Sequence, residues 1–254
     1  MEDHDVKFQT LDFPIKMGEC GPDGTIRSHI WFDFLQHIAA VHADKLGFGM
    51  TDLIEKKMIW VLSRLKLHLD STPRYDDIVR VETYHNGTEK IFAKRQFILS
   101  SAKSGERFGY ASSFWLCLEL PSFRPRPPAA ALGLKKDENL GREEFYPMIG
   151  KIDTVEGSDP LTHYVSASHI DLNDHLNNTY YVEYTLDWIG RKTGKLVHFD
   201  EIQINFNRAM QFGEDLIVTG TLDGNRFHVE GIDRESGKNS FQAEGIFREI
   251  RKGI

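Results

Sequence analysis

The sequence predicts an α+β protein built from two similar halves, each a long helix packed on an antiparallel sheet. Three observations predict it. The order strand, helix, then several strands occurs twice along the 254 residues. A turn late in each half aligns with its counterpart: Ser104-Gly105 precedes Ala111, and Ser236-Gly237 precedes Ala243, each alanine seven positions after its serine. Between the halves lies a stretch holding six of the nine prolines, from 121 to 160. Proline removes a ladder donor and fixes φ, so no central strand is expected there. The expected division is therefore 1–120, a surface linker over 121–160 with a helical turn around Ala129 to Leu134, and 161–254.

In the first half a strand-like start from Phe8 to Lys16 leads to the turn Gly21-Pro-Asp-Gly24. A helix is expected from Ser28 to about Leu46, with Ser28 as N-cap and Ile30, Trp31, Phe34, Leu35, Ile38 and Ala39 at spacings of three and four. Strands follow. Leu65, Leu67 and Leu69 alternate with polar residues, as do Val79, Val81 and Thr83. Two further runs, 91–100 and 107–119, flank the turn at 102–105. The second half repeats this order with a strand at 163–168, a helix from Thr179 to Arg191, and alternating runs around Ile202–Phe206 and Leu216–Gly220. A last pair at 227–233 and 239–250 completes it.

Composition excludes several functional classes. Apolar content of 40% and charge of 27% are those of an ordinary globular chain. A net charge of −7, with no basic run or zinc-finger spacing, argues against nucleic-acid binding. The start, MEDHDVKFQ, carries no secretory signal, and the longest apolar run, Met58 to Leu62, is too short to span a bilayer. Cys20 and Cys117 form no metal or redox motif, so a reduced, cytoplasmic setting is expected, with no membrane partner. The histidines show no metal-ligand spacing, and neither a metal nor another cofactor is expected.

The chemistry-bearing segment is Asp171-Leu-Asn-Asp-His-Leu-Asn-Asn178. Asp171, Asn173 and His175 stand at alternate positions, so an extended backbone would project all three one way. A helix starting at Asn177 or Asn178 would aim backbone N–H groups at the same spot as oxyanion donors. Base, orienting group and oxyanion donors from one segment are what acyl transfer requires. Turn and helix-cap chemistry is the competing reading of the same residues.

The doubled order, with D-x-N-x-H-x-N-N opening the second helix, resembles the acyl-ACP thioesterases of the double hotdog fold. In the first half the likeness rests on His37-Ile-Ala-Ala-Val-His-Ala-Asp-Lys-Leu-Gly47, Trp60 to Leu67, Pro73 to Val79, Ser104-Gly-Glu106 and Ala111 to Trp115. The resemblance implies two hotdog units in tandem, the first housing acyl chain and the second carrying the chemistry. It implies hydrolysis of a fatty-acyl thioester on acyl carrier protein, and a catalytic Asp171, Asn173 and His175; hydrolysis of acyl-CoA and a non-catalytic acyl-thioester binding module are the alternative readings. Either Asp171 orients His175 as base, or Asp171 is itself base or nucleophile with His175 assisting. The plant enzymes carry an adjacent Glu-Cys where this chain has Ala209-Met210, so a cysteine nucleophile is not expected there.

Acyl-tunnel candidates are Trp31, Phe34, Leu35, Ile38, Trp60 and Leu62, residues that core packing also explains. Arg124, Arg126, Lys135, Lys136 and Arg142 are basic residues in an acidic chain and are docking candidates for the acidic carrier protein, with a solvated linker as the competing reading. Glu183 lies on the helix after the motif, where a solvated charge is expected over a site residue. A tandem pair already contains the pairing that single units reach by dimerising, so monomer and homodimer are both open.

Overall fold

The structure, a computed structural model, describes residues 7–134 and 141–250. Its strands are β1 (Gln9–Pro14), β2 (Met58–Leu69), β3 (Ile78–Glu89), β4 (Phe92–Ser101), β5 (Arg107–Glu119), β6 (Arg124–Arg126), β7 (Ser158–Tyr164), β8 (Val197–Phe206), β9 (Asp215–Asp223), β10 (Arg226–Asp233) and β11 (Asn239–Glu249). The helices are α1 (Ile30–Lys45), α2 (Met50–Glu55), α3 (Pro128–Leu132) and α4 (Asn178–Thr193). The chain forms two compact units: 7–17 with 33–149, and 18–32 with 150–250.

In the first unit the antiparallel order is β1-β3-β4-β5-β2, with β6 paired to β5. In the second it is β7-β9-β10-β11-β8. These are the same permutation. Alternate residues of a strand face the same side of its sheet, so buried apolar residues recur at every second position. In β4, for example, Ala93, Phe97 and Leu99 are all buried on one face. The Ser-Gly turns correspond too: Gly105 (φ 76°) and Gly237 (φ 65°) take the left-handed backbone that a side chain would strain.

The loops before α1 and α4 repeat in detail at an offset of 150. Each has a 3-10 turn (Met17–Glu19, Ala167–His169), an isolated bridge (Cys20 with Ile26, Ile170 with Leu176) and a left-handed residue (Gly24, Asp174). Both helices then run for 16 residues.

Three expectations need correction. Ser28 does not cap α1; its Oγ accepts the Phe199 N–H, and the helix begins at Ile30. The loop 18–32 belongs with the second unit, because Ser28, Asp23 and Thr25 bond to β8 and His29 bonds to Glu183 on α4. The proline-rich stretch is not wholly a surface linker. Ile149 and Ile152 are buried, Ile149 against Phe92 and Phe114, and the Ile149 carbonyl accepts from Arg64.

Candidate active site

The segment 171–177 is a tight turn, not an extended strand. Asp171 N–H donates to the His175 carbonyl at 2.9 Å, and Asp174 N–H returns to the Asp171 carbonyl at 3.0 Å. Asp174 sits at φ 62°, a region that Asn and Asp tolerate best among residues with a side chain. The alternate-residue projection expected of Asp171, Asn173 and His175 therefore does not hold; the turn sets their directions instead. The Asp171 Oδ1 accepts the Asn173 N–H at 2.8 Å, an Asx turn. Asn173 is exposed, while Asp171 and His175 are half-buried. Among the described residues the His175 ring has no hydrogen-bond partner, and Asp171 does not bond to it.

Two framework contacts hold this turn. Leu176 is buried, and its N–H donates to the Met210 carbonyl at 2.8 Å, while the Met210 N–H donates to the Tyr181 hydroxyl on α4 at 3.1 Å. His169 precedes the turn with its ring over Tyr180 (centroids 4.3 Å apart) and its Nδ1 3.0 Å from the Tyr184 hydroxyl. It is thus a packed support of the turn and not a free loop residue.

The Asn177 expectation is corrected. Its N–H donates to the His169 carbonyl at 3.0 Å, so it is not an oxyanion donor. Its side chain instead caps α4, accepting from the Thr179 N–H and hydroxyl, both at 3.0 Å. Asn178 is the first helical residue.

The equivalent loop of the first copy places Gly21, Asp23 and Thr25 where Asp171, Asn173 and His175 stand. Here too a carboxylate closes the turn, Asp23 accepting from the Thr25 N–H and hydroxyl. His198 adds to it, its Nε2 3.1 Å from Asp23 and 2.8 Å from the Thr25 hydroxyl. Burial raises the Asp23 carboxyl, but the bonds from Thr25 and the charge of His198 outweigh it and leave the pKa below the ordinary value. Burial likewise holds His198 below its usual range, against the pull of Asp23.

Glu183 is half-buried and paired, not a solvated charge. Its carboxylate meets the His29 ring at 3.0 Å, and that hydrogen bond lowers its pKa. His29, Glu183 and His198 line a cleft of about 620 Å³ that takes none of its walls from 171–178. The sequence carried a signal for this cluster only in the match between the two loops.

The apolar candidates are placed as follows. Trp31, Phe34, Leu35, Ile38 and Leu62 are buried, Phe34 stacking on Phe13 at 4.4 Å. Trp60 is half-buried and donates from its indole to the Phe48 carbonyl at 3.0 Å. Arg124 and Arg126 are exposed on β6, with Arg126 only 3.9 Å from Glu119. Arg142 is engaged, paired with Glu82 and lying over the Phe8 and Tyr84 rings. Lys135 and Lys136 lie outside the described residues. Met210 is buried, and neither cysteine is a ready nucleophile: burial raises both thiols, Cys117 to about 11. Among the described residues no group of His, Cys, Asp or Glu could hold a metal, and no helix is long and apolar enough to cross a membrane.

Two copies of one helix-on-sheet unit, with a polar Asp/Asn/His turn heading the second helix, define a tandem hotdog protein. Family comparison agrees: residues 5–127 match the acyl-ACP thioesterase N-terminal domain and 154–249 its C-terminal domain. The chain belongs to the acyl-ACP thioesterase family, thioester hydrolases that release fatty acids from acyl carrier protein in fatty-acid biosynthesis. An acyl-ACP thioesterase from Bacteroides thetaiotaomicron superposes with a TM-score of 0.80 at 26% identity, covering 95% of this chain and 98% of that one. The 12:0-ACP thioesterase of Umbellularia californica gives 0.78 at 18% identity, covering 98% and 100%, and shows the shared double hotdog fold. Oleoyl-acyl carrier protein thioesterase 1 of Arabidopsis thaliana is 24% identical over 93% of this chain and 70% of its own length. The palmitoyl enzyme of the same plant is 27% identical over 69% of this chain and 46% of its own.

Proposed function

We propose that this chain hydrolyses fatty acyl-ACP to a free fatty acid and ACP, with Asp171, Asn173 and His175 as its catalytic residues. The observation that carries the reading is the half-buried His175 ring, without a hydrogen-bond partner among the described residues and held on a turn clamped through Leu176 and Met210. Such a ring is available to a water or a substrate as a proton acceptor. In the reaction His175 takes a proton from water, and the water oxygen bonds to the thioester carbonyl carbon. The tetrahedral intermediate then breaks its C–S bond, and the imidazolium returns the proton to the leaving thiolate. The Asp171 Oδ2, without a hydrogen-bond partner among the described residues, offers charge stabilisation to the imidazolium, and the exposed Asn173 amide offers a donor to the carbonyl oxygen. With methionine at 210, water is the nucleophile.

In the same reading the first unit houses the acyl chain against α1, and exposed Arg124 and Arg126 meet the acidic carrier. The two free thiols suit a reducing, cytoplasmic setting. The test is release of fatty acid from a panel of acyl-ACPs. His175→Ala and Asp171→Asn should lower kcat by about 10²–10⁴-fold with an unchanged thermal midpoint. Full activity in both variants rejects the site, and equal or faster turnover of the matching acyl-CoA rejects the carrier.

A further inference from the structure

A buried guanidinium stands in the first unit on the face of β4 that is otherwise apolar. Arg95 shares that face with Ala93, Phe97 and Leu99 and is only 8% exposed. Its cross-strand neighbours are His85 on β3 and Ser113 on β5, both buried. Its Nη1 donates to His42 Nδ1 on α1 at 2.7 Å and to the Thr83 hydroxyl at 3.3 Å. Accepting that bond fixes the His42 proton on Nε2, so the contact supplies no negative charge.

Among the described residues no carboxylate pairs with Arg95, and its Nε and Nη2 have no hydrogen-bond partner. Neither nitrogen is sealed from the surface as the orphaned amides of Asn86 and Gln96 are. Nε and Nη2 form one edge of the guanidinium, the edge that grips a carboxylate with two parallel bonds. Arg80 shows the same edge in use, its Nε and Nη2 each 2.8 Å from an oxygen of Asp12. Isolating a charge in a core is costly unless something pairs it. Burial alone pulls the Arg95 pKa down to about 10, which still leaves it charged at neutral pH.

We propose that Arg95 is a carboxylate-recognition residue, taking the carboxylate of an aliphatic chain that enters the first unit along α1. The surroundings suit such a ligand. Ile38 and His42 are four residues apart, on one helix face about 6 Å along the axis, so an apolar wall leads to the polar end. Two sources present this chemistry: a free fatty acid, and a thioester-bound acyl chain carrying a carboxylate at its far end. The assignment of either as product or substrate rests on the thioesterase reading; the binding of a carboxylate does not.

Titration calorimetry of the full chain with dodecanoate, dodecanedioate and dodecanol tests the binding. Wild type should bind at least one of the two acids at least about tenfold more tightly than the alcohol, as a charge-assisted fork predicts. Arg95→Met should erase the difference while keeping alcohol binding. It should also raise Tm by about 3 °C or more, because an unpaired buried charge is replaced by an apolar side chain of similar length. Equal acid affinity in wild type and variant overturns the proposal. So does a parallel loss of acid and alcohol binding with a lowered Tm, which would make Arg95 a packing residue. In the turnover assay, inhibition by dodecanoate that Arg95→Met abolishes identifies the free acid as the ligand. A preference for ω-carboxyacyl-ACP over the plain chain, abolished likewise, identifies the substrate. A wild type that hydrolyses no acyl-ACP sinks the thioesterase reading alone and leaves the calorimetry to decide on Arg95.

Discussion

Single residues of the motif divide between building the turn and leaving groups for chemistry. The Asn177 side chain caps α4, and its N–H is already bonded to His169. Asn177→Ala should therefore cost about 1 kcal/mol of stability and leave kcat/KM within about threefold. Urea unfolding beside an acyl-ACP assay checks it, and a hundredfold loss of activity at unchanged stability would contradict it. This division explains what could be read from the sequence. The spacing of Asp171, Asn173 and His175 marked the segment, but the left-handed Asp174 turned it away from the extended form that spacing suggested. Asp and Asn are the residues that both reactions and turns select, so periodicity could not separate the two uses. Arg95 was legible in principle, as a charge at the apolar parity of Ala93, Phe97 and Leu99, but only a structure shows its unpaired edge.

Elements were legible where alternation is uninterrupted. The strands β5, β9 and β10 lie close to their expected bounds, as does helix α4, ended by Gly194 in the left-handed conformation. The early part of β2 was hidden because its register shifts between Leu62 and Arg64, which breaks the period-2 pattern. The end of β3 was lost in the same way, with a shift between His85 and Thr88. Helix α2 has six residues and exposes Met50 and Ile54, too short and too open to leave a periodic stripe. Close approach of strands gives a prediction at this scale. A Cβ on Gly245 of β11 would stand 2.0 Å from the Glu201 carbonyl oxygen of β8, a backbone atom that cannot swing aside. Gly245→Ala should cost about 2 kcal/mol or more, with far-UV circular dichroism preserved at low temperature and a lowered unfolding midpoint. An unchanged midpoint would contradict this pairing.

Across the whole molecule, the repeated strand permutation means that a second copy of each loop exists, and the copies have diverged in their ionisable groups. Two histidines bear on the acid response, His163 in β7 and His198 in β8. His163 stacks on Tyr184 with centroids 4.0 Å apart, and burial, with the nearby His169, lowers its pKa to about 4. His198, in the Asp23 cluster, is lowered in the same direction by burial. At pH 7 both rings are neutral whether the chain is folded or not, so neither opposes folding. Below about pH 6.5 the unfolded chain takes up protons that the folded chain refuses, and stability falls until the folded pKa is reached. For His163 that window runs from about 6.5 to about 4, with a loss of at most about 3 kcal/mol. His163→Phe keeps a stacking ring and removes the titration. The variant should lose less Tm than wild type between pH 7 and pH 5, while matching it more closely at pH 8. Parallel pH profiles would show that His163 takes up its proton equally in both states, and would assign the acid response to other groups.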